Sequence, residues 1–123
     1  MQNAAEAYGA IAKQTGTPRE LEASLLVKAA SMLQSARENC EDRSSALGEA
    51  LTYNQRLWTV FASAVADPDS PLPKEIRNNI ASLSVFIFNQ TLEAHAKPAP
   101  DKLSALININ REVAAGLRGV EAA

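Results

Sequence analysis

The sequence predicts an all-α protein: a single antiparallel helical bundle of four main helices plus a short N-terminal helix, one domain over residues 1–123. Three observations predict it. Apolar residues recur every three or four positions through segments too long for strands. Proline, glycine and aspartate clusters interrupt the chain between those segments, at Gly16 to Pro18, Glu41 to Ser45, Asp67 to Pro73, Lys97 to Pro100 and from Gly116 onward. No window of useful length alternates apolar with polar residues as a half-buried strand does.

Each helix has its own signals. The short one covers roughly Ala4 to Gln14, with Ala4, Ala7, Tyr8 and Ile11 on one side. Thr17-Pro18-Arg19-Glu20 then reads as an N-cap, a proline at the first helical position and an acid three residues after the cap. The stripe that follows is Leu21, Leu25, Ala29, Met32, Leu33, Ala36 and Cys40. Ser44 or Ser45 caps the next helix, whose stripe is Leu47, Ala50, Leu51, Leu57, Trp58, Phe61 and Val65 and which Asp67-Pro68 ends. Pro71 and Pro73 lead into a helix reaching about Ala96. Pro100-Asp101 opens the last, with Leu103, Leu106, Ile107, Val113, Ala114 and Leu117 in its stripe. Amphipathic helices joined by short connections pack as antiparallel neighbours.

Composition sets the class. With 46% hydrophobic and 21% charged residues, 123 residues support one core without staples, burying roughly two-thirds of the unfolded surface. The 12 basic and 14 acidic residues divide evenly between the halves of the chain, so no arm is specialised for polyanions and direct RNA binding is disfavoured. The first residues carry Glu6 and no basic n-region, and the longest unbroken apolar run elsewhere is residues 85–88, so the expectation is a cytoplasmic protein with no membrane contact.

Little chemistry is available. One His and one Cys, His95 and Cys40, do not make a zinc site, and no metal or other cofactor is expected. Cys40 lies on an apolar stripe and reads as a small buried hydrophobe, whereas His95 suits a helix C-terminus. Asp67 and Asp69 fail as a calcium loop, because Leu72 and Asn78 stand where an EF-hand needs glycine and glutamate. Asn89-Gln90-Thr91 matches a glycosylation sequon only by chance, in mid-helix. No phosphate-cradling glycine loop or nucleophile elbow occurs, so no catalytic residue is assigned.

Two features exceed this background. Asn54 and Asn110 each fall inside an apolar arc, seven residues after Leu47 and Leu103. They form either a core polar network that fixes helix register or a surface where the amides meet a partner's backbone. The helix reaching Ala96 has two apolar stripes: Ile76, Ile80, Leu83 and Ile87, with Phe86 beside them, and Val85, Phe88 and Leu92. Such a helix is sandwiched in its own core or covered by another chain, a second copy included.

The segments QNAAEAYG (residues 2–9), TPRELEASLL (17–26), ALTYNQRLWTVF (50–61), PLPKEIRNNIASL (71–83) and LININREVAAGLRG (106–119) together resemble the flagellar biosynthesis regulator family FlaF of alphaproteobacteria. The resemblance runs from about Gln2 to Gly119. It implies a small cytoplasmic, all-helical, non-enzymatic protein that promotes flagellin synthesis and export as a secretion-chaperone-like binder of flagellin, with the regulator FlbT as a second partner. The alternative it leaves is post-transcriptional control through flagellin mRNA or FlbT without stable flagellin binding. The matching positions include Tyr53, Asn54, Arg56, Leu57, Trp58, Asn108, Asn110, Arg111 and Glu112, with fold and partner roles both open. The expected partner surface is the second stripe, Val85, Phe88 and Leu92, with Tyr53 and Val60 as weaker candidates because they project away from the strongest stripe of their helix. On that reading Phe88→Ser weakens flagellin capture and leaves the fold intact.

Overall fold

The computed structural model describes residues 18–42 and 45–122, and the short helix expected over Ala4 to Gln14 lies outside them. The described residues form four helices, α1 (Pro18–Arg37), α2 (Ser45–Ala66), α3 (Lys74–Ala96) and α4 (Pro100–Ala122), with a 3-10 turn at Cys40–Asp42. No strand occurs among the described residues. α1 packs on α2 and α4, and α3 packs on the same two, so α1 faces α3 and α2 faces α4 across the diagonals of a square.

The broadest contact is between α1 and α4. Three side-chain pairs mark its register: Arg37 Nη1 donates to Ser104 Oγ at 3.1 Å, Arg111 donates to Gln34 Oε1, and Arg118 forks onto Glu20 with both bonds at 3.0 Å. Residues 104, 111 and 118 are spaced by seven and meet successively earlier residues of α1, so the helices are antiparallel. Ala30 and Ala23 stand seven and fourteen residues before Arg37 and share its stripe. Both are fully buried, and their small side chains let the two axes approach closely.

Across the α2–α4 diagonal the connection is polar. Trp58 Nε1 of α2 donates to Asn110 Oδ1 of α4 at 2.8 Å, and Asn110 Nδ2 donates to Asn54 Oδ1 at 2.6 Å. All three side chains are fully buried. Because an indole only donates, it fixes the orientation of the Asn110 amide, which must then give its own N–H to Asn54. One turn of α2 separates Asn54 from Trp58, so a single amide grips two successive turns. Trp58 also stacks edge-on against Phe61, with ring centroids 5.9 Å apart.

Connections follow the punctuation in the sequence, with two differences. α1 ends at Arg37, so Cys40 is buried from the 3-10 turn and not from the helix stripe. α4 continues through Gly116 and Gly119 to Ala122, because Leu117 is buried and Arg118 is held by Glu20, which outweighs the poor helix propensity of glycine. Asp67 and Asp69 shape a turn: Asp67 Oδ1 accepts from the Asp69 N–H at 2.9 Å, and the Ser70 N–H reaches the Asp67 carbonyl at 3.1 Å. This turn drops Leu72 into the end of the core.

The polar network sets a ranking of stabilities. Asn110→Ala leaves both Trp58 Nε1 and Asn54 Oδ1 unpaired and is expected to cost about 2–4 kcal/mol. Asn54→Ala leaves only Asn110 Nδ2 unpaired and also removes the Asn54 Nδ2, which is buried without a hydrogen-bond partner, so it should cost less, about 1–2 kcal/mol. Urea unfolding of both variants checks the order; equal costs would remove Asn110 from the centre of the network.

Candidate functional site

The core face of α3 is unusual in what it buries. Its buried positions are Ile80, Ser84, Ile87, Thr91 and Ala94. The two hydroxyls are satisfied within the helix, Ser84 Oγ donating to the Ile80 carbonyl at 2.8 Å and Thr91 Oγ1 to the Ile87 carbonyl at 2.6 Å. They therefore enter the core without a partner from another helix. Three large apolar side chains fall outside, with Val85 and Leu92 each 62% exposed and Phe86 43% exposed. The helix thus buries Ile80 and Ile87 together with small and polar groups and carries a second apolar patch on its outer face, beyond what an ordinary amphipathic helix shows.

The sequence-predicted site residues separate accordingly. Val85 and Leu92 lie on this outer face, seven residues and two turns apart. Phe88 is half-buried and packs against the core, so its truncation disturbs packing as well as surface. Val60 is half-buried on α2. Tyr53 corrects the expectation of an outward side chain: it is only 8% exposed, Lys28 Nζ of α1 lies 5.3 Å from its ring centroid, and its hydroxyl has no hydrogen-bond partner. The α1–α2 contact covers it, and burial raises its phenol above the ordinary value. Phe86, expected beside the inner stripe, is exposed because Ser84 and Thr91 hold the inner positions.

The remaining positions carried by the FlaF resemblance also divide. Leu57, Trp58, Asn54 and Asn110 are core, and Arg111 belongs to the α1–α4 seam. Arg56 and Asn108 are exposed. Glu112 borders a groove between the first half of α3 and the second half of α4, lined also by Ile76, Asn79, Leu83, Ile109 and Gly116 and enclosing about 200 Å³. Ile76 and Leu83 share an apolar stripe with the buried Ile80 and Ile87, yet they are only half-buried, at the side where α3 and α4 make the thinnest contact of the four adjacent pairs. The one sequence sign of this groove is the glycine at 116, inside a helix and in line with Ile109.

Glu22 is buried at the end of the core, beside Phe61, Leu72, Ile80 and Leu117. Arg19 Nε lies 2.9 Å from its Oε1, an ion pair whose angle does not make a hydrogen bond. Desolvation raises its carboxyl above the ordinary 4.5, and the Arg19 charge pulls it partly back. No cluster of three or more His, Cys, Asp or Glu residues able to hold a metal occurs among the described residues, and His95 is exposed in the last turn of α3. No described helix is long and apolar enough to cross a membrane.

Glu22 gives a pH prediction. Its folded-state pKa is raised, so the folded protein holds this proton more tightly than the unfolded chain, and stability falls as pH rises above 4.5 through the raised value. Glu22→Gln should therefore melt at or above the wild-type temperature at pH 7, with the advantage shrinking as pH is lowered toward 4.5. Thermal melts at both pH values check it; a variant less stable at pH 7 would show that the Arg19 pairing outweighs desolvation.

No curated protein matches the chain. No solved structure matches it either. A family model does, that of the flagellar protein FlaF, over residues 4–117. The match takes in all of α1, α2 and α3 and most of α4, including the polar network, the outer face of α3 and the groove. The chain belongs to the FlaF family of flagellar proteins.

Proposed function

We propose that this flagellar protein is a non-catalytic cytoplasmic binder of flagellin, chaperone-like in export and promoting flagellin synthesis, and that the outer face of α3 is its docking surface. The observation that carries the reading is the apolar patch on the outer face of α3, where Val85 and Leu92 stand exposed with Phe86. Exposed large apolar side chains two turns apart on one helix match the spacing at which an amphipathic partner helix presents its own anchors. An amphipathic segment of flagellin is the partner of that chemistry in the flagellar setting the family supplies.

Electrostatics supports a protein partner over RNA. The net charge is −2, and Arg37, Arg111 and Arg118 are engaged along the α1–α4 seam. A phosphate-binding surface needs several uncommitted cations converging on one face. Action through FlbT uses the same kind of apolar surface and is separated from flagellin binding by which purified protein is captured.

Covering Val85 or Leu92 with a partner contributes about 1.5–3 kcal/mol each, so charging either one should weaken binding about tenfold or more. Val85→Asp and Leu92→Asp are expected to lower capture of purified flagellin while melting near the wild-type temperature, since both side chains are largely in water before binding. Titration of flagellin against each variant, with FlbT run in parallel, is the test. Unchanged flagellin affinity in both variants would move the site elsewhere, and loss of FlbT capture alone would make FlbT the partner.

A further inference from the structure

The groove between α3 and α4 opens on a different side of α3 from Val85 and Leu92. Ile76, Leu83 and Ile109 pack against the core on one side and stand open on the other. Phe86, seven residues after Asn79 and three after Leu83, continues the α3 wall and is 43% exposed. Gly116 lines the opposite wall, and a Cβ built there meets nothing within 4 Å, so packing among the described residues does not require a glycine at this point. Its bare backbone lets another helix come close. At about 200 Å³ the recess is smaller than the ~300–1,000 Å³ of small-molecule sites, so it takes anchoring side chains and not a whole ligand.

Over its open length the rim has one sign of charge. From Glu75 to Phe86 of α3 and from Ala105 to Gly116 of α4, the charged residues are Glu75, Arg77, Arg111 and Glu112. Glu75 stands four residues before Asn79, on its side of the helix, and Glu112 lines the groove from α4. Arg77 lies about 160° around the helix from Asn79, with its Nε buried. Arg111 is engaged by Gln34 across the α1–α4 seam. Neither base therefore faces the groove. Glu75 and Glu112 are exposed, and no ion pair among the described residues holds either one. Glu93, about five turns after Glu75, extends the acidic rim toward the α3–α4 connection, where Lys102 gives its Nζ to the Lys97 carbonyl at 2.8 Å.

The geometry points to a basic amphipathic helix of another protein as the occupant of this groove. Its large apolar side chains, spaced i, i+3, i+4, i+7, enter between Ile76, Leu83 and Ile109, and its lysines or arginines flank them against Glu75 and Glu112. The wall from Ile76 to Phe86 is about 15 Å long, so about three turns of partner helix cover it. Charge selects the occupant. An acidic helix would gain the apolar contact but meet repulsion at both walls. A second copy of this chain, docked groove to groove, would set Glu112 and Glu75 against the same carboxylates. The groove is a separate surface from the one proposed for flagellin, and neither reading requires the other.

The probe is a pair of synthetic peptides of about 18 residues, both with leucine at the anchor positions, one flanked by lysine and the other by glutamate. Titrated into the full chain at ~0.15 M salt, the lysine peptide should shift methyl resonances of Leu83, Ile109 and Val113 saturably while those of Leu33 and Leu57 stay. The glutamate peptide should bind at least about tenfold more weakly. Glu112→Lys turns an attraction into a repulsion and should weaken the lysine peptide about threefold to tenfold. Glu49→Lys, the same charge change at an exposed position of α2, should leave its affinity unchanged. Gly116→Leu fills the recess with a better helix former, so it should melt at or above the wild-type temperature and lose the peptide. Equal binding of the two peptides, shifts centred on Val85 and Leu92, or no saturable shift would overturn the proposal. Groove methyls that move as the protein alone is concentrated would overturn it in favour of a second copy.

Discussion

The amide of Asn110 is the interaction on which the rest of the bundle depends. Opposite helices of a square bundle touch little, and apolar contacts across a diagonal tolerate sliding. A buried amide does not, because shifting α4 against α2 by one turn would strand Trp58 Nε1, Asn54 Oδ1 and both ends of Asn110 in a medium without water. With the α2–α4 register fixed this way, the Ser104, Arg111 and Arg118 series fixes α4 against α1. Three helices are thereby locked to one another through bonds with a unique register.

α3 stands outside that arrangement. Its buried hydroxyls bond to its own backbone, and its contact with α4 is the thinnest side of the square. Gln90 Nε2, donating to the Lys102 carbonyl at 3.3 Å, is a tie near the α3–α4 connection and not along the helix. The consequence is a helix whose inner face is adequate for packing but not rich, and whose outer face carries apolar surface the bundle does not use. In this flagellar protein that surface is the physical basis of the docking role proposed above.

Much of this was legible in the sequence. Proline positions marked where α1, α3 and α4 begin, because Pro18 and Pro100 sit where a missing N–H costs nothing and Pro73 immediately precedes its helix. Asn54 and Asn110 stood out as polar residues inside apolar arcs, although only the folded chain pairs them with each other and with Trp58. Other features depended on tertiary context. The stripe of Ile76, Ile80, Leu83 and Ile87 is buried at Ile80 and Ile87, but the places that Ser84 and Thr91 take beside them in the core, and the exposure of Phe86, are set by the neighbouring helices. Tyr53 lay off the strongest stripe of α2, yet α1 covers it, since a helix in a bundle meets neighbours on two sides. The groove depends on how far α3 and α4 separate, which no single helix encodes.

Native-state hydrogen exchange is the measurement that tests most directly whether the diagonal amide and the α1–α4 seam hold three helices while α3 is the least committed. Amides in α1, α2 and α4 around Leu33, Trp58 and Asn110 should exchange only through global unfolding, whereas α3 amides between Leu83 and Thr91 should exchange through a smaller opening. Exchange of those α3 amides at the same free energy as the Trp58 and Asn110 amides would contradict the account, because α3 would then belong to the same cooperative unit as the network.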